Sequence, residues 1–305
     1  MQQTHQTRTI VILSLILIFS IAGMFACSTQ SGASGKVAVV TTFYPLGYFA
    51  EQVGGDRVAV TDLVQPGVEP HDFDPTPLAV RAIVSAKVFV YNGAGLEGWA
   101  QKVLDSEKPK GVVVMASQGL DLMNDEEDPT AQNPHVWLDP VLAQQQVKNI
   151  RDGLIKADAE GKATYEANAT KLLNKLEALD QQITAGLKTC QTRTFVVSHD
   201  ATAYFSKRYG LQSLSITGLS PDAEPDPKTL SELSKTMREK KLKYVFTETL
   251  VSPALAQTLA KEAGAQRLTF NPVEGLTKDE ITAGKDYISV MKDNLKNLRT
   301  GLGCS

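Results

Sequence analysis

Residues 156–189 read KADAEGKATYEANATKLLNKLEALDQQITAGLKT, and this stretch decides how the rest of the chain is organised. Apolar side chains recur in it at steps of three and four, with Lys and Glu among the positions between them: Tyr165, Ala169, Leu172, Leu173, Leu176, Leu179, Ile183 and Leu187. That spacing predicts one amphipathic α-helix with a continuous apolar stripe. A helix of ~25 to 30 residues would measure about 40 Å, which is long enough to run along two lobes.

Short β-branched segments alternate with helical segments on both sides of this stretch. The strand segments are 37–42, 58–64, 88–91 and 112–115 before it, and 194–198, 213–216, 244–247 and 267–270 after it. The helical segments are 44–53, 77–85 and 96–104 before it, and 201–209, 227–239, 253–263 and 278–299 after it. This alternation is typical of βαβ units. We therefore predict an α/β protein with two similar lobes, each with a mainly parallel four-stranded sheet flanked by helices, joined by one long rigid helix that limits closure.

The amino terminus has the order of an export signal. Arg8 precedes an apolar run at 10–21, which is shorter than the ~20 residues of a membrane span. Cys27 follows at the start of a Ser/Gly-rich stretch and resembles the lipid-accepting cysteine of bacterial lipoproteins, with simple secretion as the alternative. The predicted divisions are a signal peptide at 1–26, a lipid anchor and linker at 27–36, an N-terminal lobe at 37–155, the linking helix at 156–189 and a C-terminal lobe at 190–305.

The other two cysteines favour a disulfide in an exported protein, and the charge balance argues against a nucleic-acid partner. If Cys27 carries lipid, Cys190 and Cys304 are left as a pair, and export to an oxidising compartment favours a disulfide between them. The alternative is two independent buried thiols. The net charge is -3 and no Lys/Arg cluster persists along the chain, so nucleic acid is not an expected partner.

Histidines give the most direct indication of chemistry. The chain has four histidines, and His5 lies in the predicted signal peptide. His71, His135 and His199 each follow a predicted strand or turn, and Glu274 follows the last predicted strand. In open α/β sheets ligands bind outside the carboxyl ends of the strands. We therefore expect these four side chains to converge there.

Three imidazoles and one carboxylate form a ligand set suited to tetrahedral Zn²⁺. Imidazole-rich sites favour zinc, copper and nickel, whereas manganese sites depend more on carboxylate and carbonyl oxygen. This comparison places Zn²⁺, one per chain, ahead of Mn²⁺. The alternative for each histidine is an ordinary surface or hydrogen-bonded structural role.

Several motifs resemble the zinc/manganese class of ABC-transporter solute-binding proteins, the metal-receptor lipoproteins of bacteria. The resemblance covers nearly the whole chain after the signal. Its motifs are TFYP at 42–45, PHDFDP at 70–75, NPHVWLDP at 133–140, SHDA at 198–201, GLSPDAEP at 218–225, TETL at 247–250 and GKDYISVM at 284–291. The resemblance implies two α/β lobes bridged by a long helix, with a metal ion held between them.

The resemblance also implies a ligand set. His71 and His135 match the ligands of the first lobe, and His199 lies where zinc-type members carry histidine and manganese-type members often carry glutamate. Many relatives have aspartate where this chain has Asn271, so the fourth ligand is expected to be Glu274, from a Pro-x-Glu-Gly turn. Glu248, Asn271 or a water molecule remain alternatives.

The implied protein is a monomeric extracytoplasmic zinc receptor. It would be anchored to the membrane by lipid, on the outer face of the plasma membrane or in the periplasm. Its expected partners are the permease and the ATPase subunits of an ABC importer. One rival hypothesis is a zinc hydrolase in which Glu274 acts as general base, and another is a role in cell adhesion.

Overall fold

A computed structural model describes residues 35–125 and 128–305 of the chain. The predicted signal peptide, the predicted lipid site Cys27 and almost all of the predicted linker lie outside the described residues. Residues 36–305 form one compact unit. Within the described residues, no helix combines the length and the apolarity needed to cross a membrane.

The first sheet contains four parallel strands in the order β2-β1-β3-β4. Its strands are β1 (Val37–Thr41), β2 (Val58–Asp62), β3 (Val88–Tyr91) and β4 (Val112–Met115), and the helices among and after them are α1 (Tyr44–Gly54), α2 (Pro77–Ser85), α3 (Ala100–Glu107) and α4 (Pro140–Ala157). Val37 pairs with Val58, and Val88 pairs with Val112. This register aligns the carboxyl ends of the strands along one edge.

Helix α5 (Lys162–Gly186) follows, and its apolar stripe is buried as predicted. Seven of the eight predicted stripe residues are at most 1% exposed, and Leu173 is partly buried. The helix packs on α1 and α4 of the first lobe and on the last helix of the second lobe. The predicted segment 156–189 also contains the end of α4 and the turn at 158–161.

The second sheet repeats the topology of the first, in the order β6-β5-β7-β8 and again all parallel. Its elements are β5 (Thr194–Val197), α6 (Ala203–Tyr209), β6 (Gln212–Ser215), α7 (Pro227–Glu239), β7 (Tyr244–Thr247), α8 (Ala254–Ala263), β8 (Gln266–Thr269), α9 (Lys278–Thr282) and α10 (Tyr287–Leu302). The predicted fold class is therefore confirmed.

One apolar core runs through both lobes. It contains Val39 and Val88 of the first sheet, Val197 and Phe246 of the second, and the α5 stripe. Smaller clusters lie under the outer helices of each lobe, around Ile83 and Met237. The two lobes consequently share a packed interface rather than a bare hinge.

Two helical predictions need correction, and one helix was missed. The predicted helix at 278–299 is two helices, because Gly284 adopts a left-handed conformation with φ of 70° and Asp286 then caps α10 with Ser289. The predicted helix at 96–104 begins only at Ala100. Helix α4 was not predicted, since its buried face includes Gln146 and Gly153, which interrupt the apolar pattern.

A disulfide joins Cys190 to Cys304. Cys190 lies just before β5 and Cys304 lies two residues after the end of α10. The bond therefore fastens the carboxyl-terminal end of the chain to the start of the second sheet.

Candidate metal centre

Four side chains from four different loops meet at the carboxyl ends of the two sheets. His71 follows β2, His135 follows β4, His199 follows β5 and Glu274 follows β8. Their ligand atoms all lie within 4.8 Å of one another. The structure therefore brings together all four residues that the sequence singled out. We refer to them as the His3Glu cluster.

Five of the six distances between the four ligand atoms are close to those of a tetrahedron. Distances between Nε2 atoms are 3.1 Å for His71 to His135 and 3.2 Å for His135 to His199. Glu274 Oε1 lies 3.3, 3.2 and 3.3 Å from the Nε2 atoms of His71, His135 and His199. Tetrahedral ligands ~2.0 to 2.1 Å from Zn²⁺ are ~3.3 to 3.4 Å apart. These five distances therefore fit a first-row metal ion at the centre.

The cluster is buried, with one side open. His135 and His199 are fully buried and Glu274 is 1% exposed, whereas the His71 side chain is 10% exposed. A cavity of about 400 Å³ lies beside His71 and is lined in part by Gly95, Gln132 and Ser220. His71 is therefore the member of the cluster nearest to solvent.

The second ring nitrogen of His135 has a fixed partner in Asn133. Asn133 Oδ1 accepts the backbone N–H of His135 and lies 2.8 Å from His135 Nδ1. Since the Asn133 amide nitrogen donates to Asp200, its oxygen faces the imidazole and the Nδ1–H must donate. Nε2 is then left with a lone pair directed at the cluster.

His199 is held in the same way by Glu248. Both carboxylate oxygens of Glu248 lie 2.9 Å from His199 Nδ1. The outer partners of His135 and His199 are therefore Asn133 and Glu248. Glu248 sits on the far side of the ring, so it does not replace Glu274 in the cluster.

Glu274 is positioned by a strained turn. Val273 has φ of 60°, which is rare for a β-branched residue. The turn is held because Asn271 Oδ1 accepts the N–H of Val273 at 2.7 Å and the Trp137 indole donates to the carbonyl of Pro272 at 2.8 Å. The amide nitrogen of Asn271 donates to Glu280. Asn271 thus shapes the turn and lies outside the cluster.

A buried carboxylate further supports the His135 loop, and sequence reasoning missed it. Glu97 accepts hydrogen bonds from the Thr42 hydroxyl and from the backbone N–H groups of Asn92 and Gly93. Burial raises its pKa, although these donors oppose the change. Asn92 in turn donates to the carbonyl of Pro134, beside His135. An acidic residue among glycines at 92–98 is the only sequence signal for this support.

Proton affinities differ sharply among the three histidines. Burial lowers the pKa of His135 to about 3, so this ring is neutral. Burial also disfavours the charged form of His199, but Glu248 and Glu274 outweigh it and raise its pKa well above the usual 6.5. The pKa of His71 is raised too, because Glu274 outweighs burial. The imidazoles, His199 foremost, hold the pKa of Glu274 well below its usual value despite burial.

Two α/β lobes with parallel sheets surround a buried His3Glu cluster, and this combination of fold and site is that of a metal receptor. The profile of the family described as zinc-uptake complex component A, periplasmic (ZnuA) matches residues 39–301, so the chain belongs to this family. The members of this family are described as a component of a zinc-uptake complex.

Curated relatives agree with this assignment. The zinc-binding lipoprotein AdcA of Streptococcus pneumoniae is 40% identical over 299 residues, which cover 93% of this chain and 60% of the relative. The chain thus spans about three fifths of the length of AdcA. The high-affinity zinc uptake system protein ZnuA of Bacillus subtilis is 38% identical over 309 residues, which cover 96% of both chains.

Solved structures share the fold. The Zn(II)-bound ZnuA-like domain of S. pneumoniae AdcA superimposes with a TM-score of 0.78 and 41% identity, covering 88% of this chain and 99% of that domain. The laminin-binding protein Lmb of Streptococcus agalactiae, described as bifunctional with adhesin and metal-transporting activity, gives a TM-score of 0.81 at 36% identity. That match covers 88% of this chain and 99% of Lmb.

Proposed function

We propose that this protein is an extracytoplasmic zinc receptor that delivers Zn²⁺ to an ABC importer. In this proposal His71, His135, His199 and Glu274 are the four ligands of one zinc ion. The observation that carries it is the near-tetrahedral spacing of their ligand atoms, at 3.1 to 3.3 Å for five pairs. Membership of the zinc-uptake family supports the same metal.

The ligand set also favours zinc over manganese. Three neutral imidazoles and one carboxylate leave about one positive charge on bound Zn²⁺, and imidazole suits zinc better than it suits manganese. Asn133 and Glu248 hold two of the rings with Nε2 directed at the ion. This arrangement limits the reorganisation that zinc binding requires.

Delivery would require partner proteins. A receptor with a nanomolar dissociation constant holds its ion by about 12 kcal/mol, and the ion lies between two lobes that share one core. We infer that a permease separates the lobes and that its ATPase subunits supply the energy. In the same proposal Cys27 carries lipid, and the protein acts as a monomer on the outer face of the membrane.

Metal analysis of purified variants tests the ligand set. We expect one zinc per chain, and we expect His199→Ala and Glu274→Gln to weaken zinc binding by more than the ~10 to 100-fold that loss of an outer partner costs. Glu232→Gln, at an exposed position of α7, is the matched control and should bind normally. Wild-type affinity in both ligand variants would contradict the proposal.

The same variants separate the receptor from a zinc hydrolase. If Glu274 were a general base acting on a metal-bound water, Glu274→Gln would keep its zinc and lose turnover of an ester substrate. The receptor proposal expects the opposite, with zinc lost and no turnover in the wild type. The adhesion hypothesis stays a prediction, and it is supported by the description of Lmb as an adhesin.

A further inference from the structure

The parallel topology sorts the loops into two sets at opposite ends of the sheets. Segments that follow a strand lie at its carboxyl end, and segments that lead into a strand lie at its amino end. The cluster draws on segments after β2, β4, β5 and β8, so the carboxyl ends of both sheets face it. The amino ends of both sheets therefore face away from the cluster.

The segments at the carboxyl ends contain only acidic charges. Among the described residues they are 42–43, 63–76, 92–99, 116–125, 128–139, 198–202, 216–226, 248–253 and 270–277. Together they carry fourteen Asp and Glu residues and no Lys or Arg. This end of the molecule is strongly negative.

The segments at the amino ends have the reverse composition. They are residues 35–36, 55–57, 86–87, 108–111, 187–193, 210–211, 240–243 and 264–265. Together they carry ten Lys and Arg residues and one acid, Asp56. We call this set of eight segments the basic end. A net charge of -3 for the whole chain therefore conceals a marked charge separation.

Most of these cations are available to a partner. The eight lysines of the basic end are exposed, and none forms an ion pair with a described residue: Lys36, Lys87, Lys108, Lys110, Lys188, Lys240, Lys241 and Lys243. Arg57 instead pairs with Asp158, and Arg193 donates to backbone carbonyls. The nearby turn at 158–161 adds only Asp158 and Glu160 to this end.

The last helix extends the basic end along one side. Lys292, Lys296 and Arg299 of α10 line a cavity of about 380 Å³ together with Cys304. All three side chains are exposed, and none has an ion-pair partner among the described residues. The disulfide from Cys304 to Cys190 holds this helix end beside the segment that carries Lys188.

We propose that the basic end docks on an anionic phospholipid surface. Lysines near such a surface each add about 1 kcal/mol of attraction, and here they belong to one end of both lobes. The described chain also begins at this end, with Gly35 and Lys36 directly before β1. A tether attached upstream would emerge there. The cluster would then face away from the membrane while the receptor collects its ion.

Nucleic acid is a poorer fit to the same surface. Single-stranded nucleic acid is usually bound with aromatic side chains on which bases stack, and the eight segments of the basic end contain no Phe, Tyr or Trp. Exposed lysines without neighbouring aromatic side chains are suited to anionic phospholipid headgroups, which they bind by charge attraction alone. A membrane is therefore the partner to which we commit.

Vesicle sedimentation tests the proposal without zinc and without lipidation. The chain from Ser28 onward, which contains the whole compact unit, should sediment with vesicles containing phosphatidylglycerol and not with pure phosphatidylcholine. Binding should disappear at about 1 M salt, where the screening length falls to ~3 Å. Lys108→Glu/Lys110→Glu should weaken partitioning by at least ~30-fold, at roughly fivefold for each lysine lost.

The matched control places the same charge change at the opposite end of the molecule. Lys228→Glu/Lys278→Glu alters two exposed lysines at the amino ends of α7 and α9, and it should bind vesicles like the wild type. Equal loss in both variants, or equal binding to both lipids, would overturn the proposal. Retention on a DNA fragment without vesicle binding would also overturn it. Normal zinc binding in both variants would establish that each is folded.

Discussion

At the scale of single residues, the imidazoles of the cluster differ in proton affinity in the metal-free protein. Burial keeps His135 neutral, with its pKa at about 3. For His199 burial opposes charging, but Glu248 and then Glu274 outweigh it and raise the pKa well above 6.5. Zinc binds only the neutral ring. At pH 7 the ion must therefore displace a proton from His199.

We expect zinc binding at pH 7 to release at least one proton per ion. Calorimetry in two buffers of different ionisation enthalpy measures this number directly. Since the folded pKa of His199 is raised, competition by protons extends above pH 6.5, and affinity should keep rising with pH until that pKa is passed. Zinc affinity that is unchanged between pH 5 and pH 8 would exclude His199 as a ligand.

The same pKa shift fixes the pH dependence of stability in the metal-free protein. A raised pKa at His199 stabilises the fold fully below the unfolded value of about 6.5, and this contribution is lost as the pH rises through the folded pKa. Glu274 behaves oppositely. Its lowered pKa contributes above its unfolded value of about 4.3, and the contribution is lost as the pH falls through the folded pKa.

The cluster could be predicted from the sequence, but its outer partners could not. His71, His135, His199 and Glu274 all follow predicted strands, and parallel strands deliver such residues to one edge. Glu248 is 49 residues from His199 in the chain. Nothing in the local sequence indicates that β5 and β7 are neighbours in the sheet, so the sequence alone does not identify Glu248 as the partner of His199.

At the scale of elements, helix α5 carries the packing between the lobes. Leu176 is fully buried in the core that both sheets share. We expect Leu176→Ala to lower the free energy of unfolding by ~2 to 5 kcal/mol, because it removes buried methyl groups and leaves a cavity. Chemical denaturation measures the change.

A position on the solvent side of the same helix provides the control. Lys171 is exposed, and Lys171→Ala should change stability by no more than about 0.5 kcal/mol. If Leu176→Ala were equally mild, the stripe would not be the main support of the lobe interface. The apolar stripe of α5 could be predicted because its apolar residues recur every three or four positions without interruption. In α4, Gln146 and Gly153 interrupt the apolar pattern, so the helix was not predicted.

At the scale of the whole molecule, the shared core limits how far the lobes can move. Closing or opening the cleft would break contacts among α5, the two sheets and the helices beside them. We expect the radius of gyration from solution scattering to change by no more than ~1 Å when zinc binds. A change of several ångströms would require a hinge that this packing does not contain.

The charge separation belongs to this largest scale, and sequence reasoning did not reveal it. The lysines of the basic end are scattered singly or in short groups through five of its eight segments, so no cluster persists along the chain. Only the alternation of strand and helix collects them at one end and the acids at the other. The sequence alone gives the net charge of the chain, whereas the distribution of the charges over the surface depends on the fold.

The five cluster distances of 3.1 to 3.3 Å also determine the size of the cation that the cluster can bind. Calcium prefers oxygen atoms at 2.3 to 2.6 Å, which would spread four tetrahedral donors to ~3.8 to 4.2 Å apart. The rings are held by Asn133 and Glu248 and the carboxylate by the turn at Val273. Widening the cluster would disturb all three supports. Its geometry therefore disfavours calcium, a larger ion, independently of the preference of calcium for oxygen ligands.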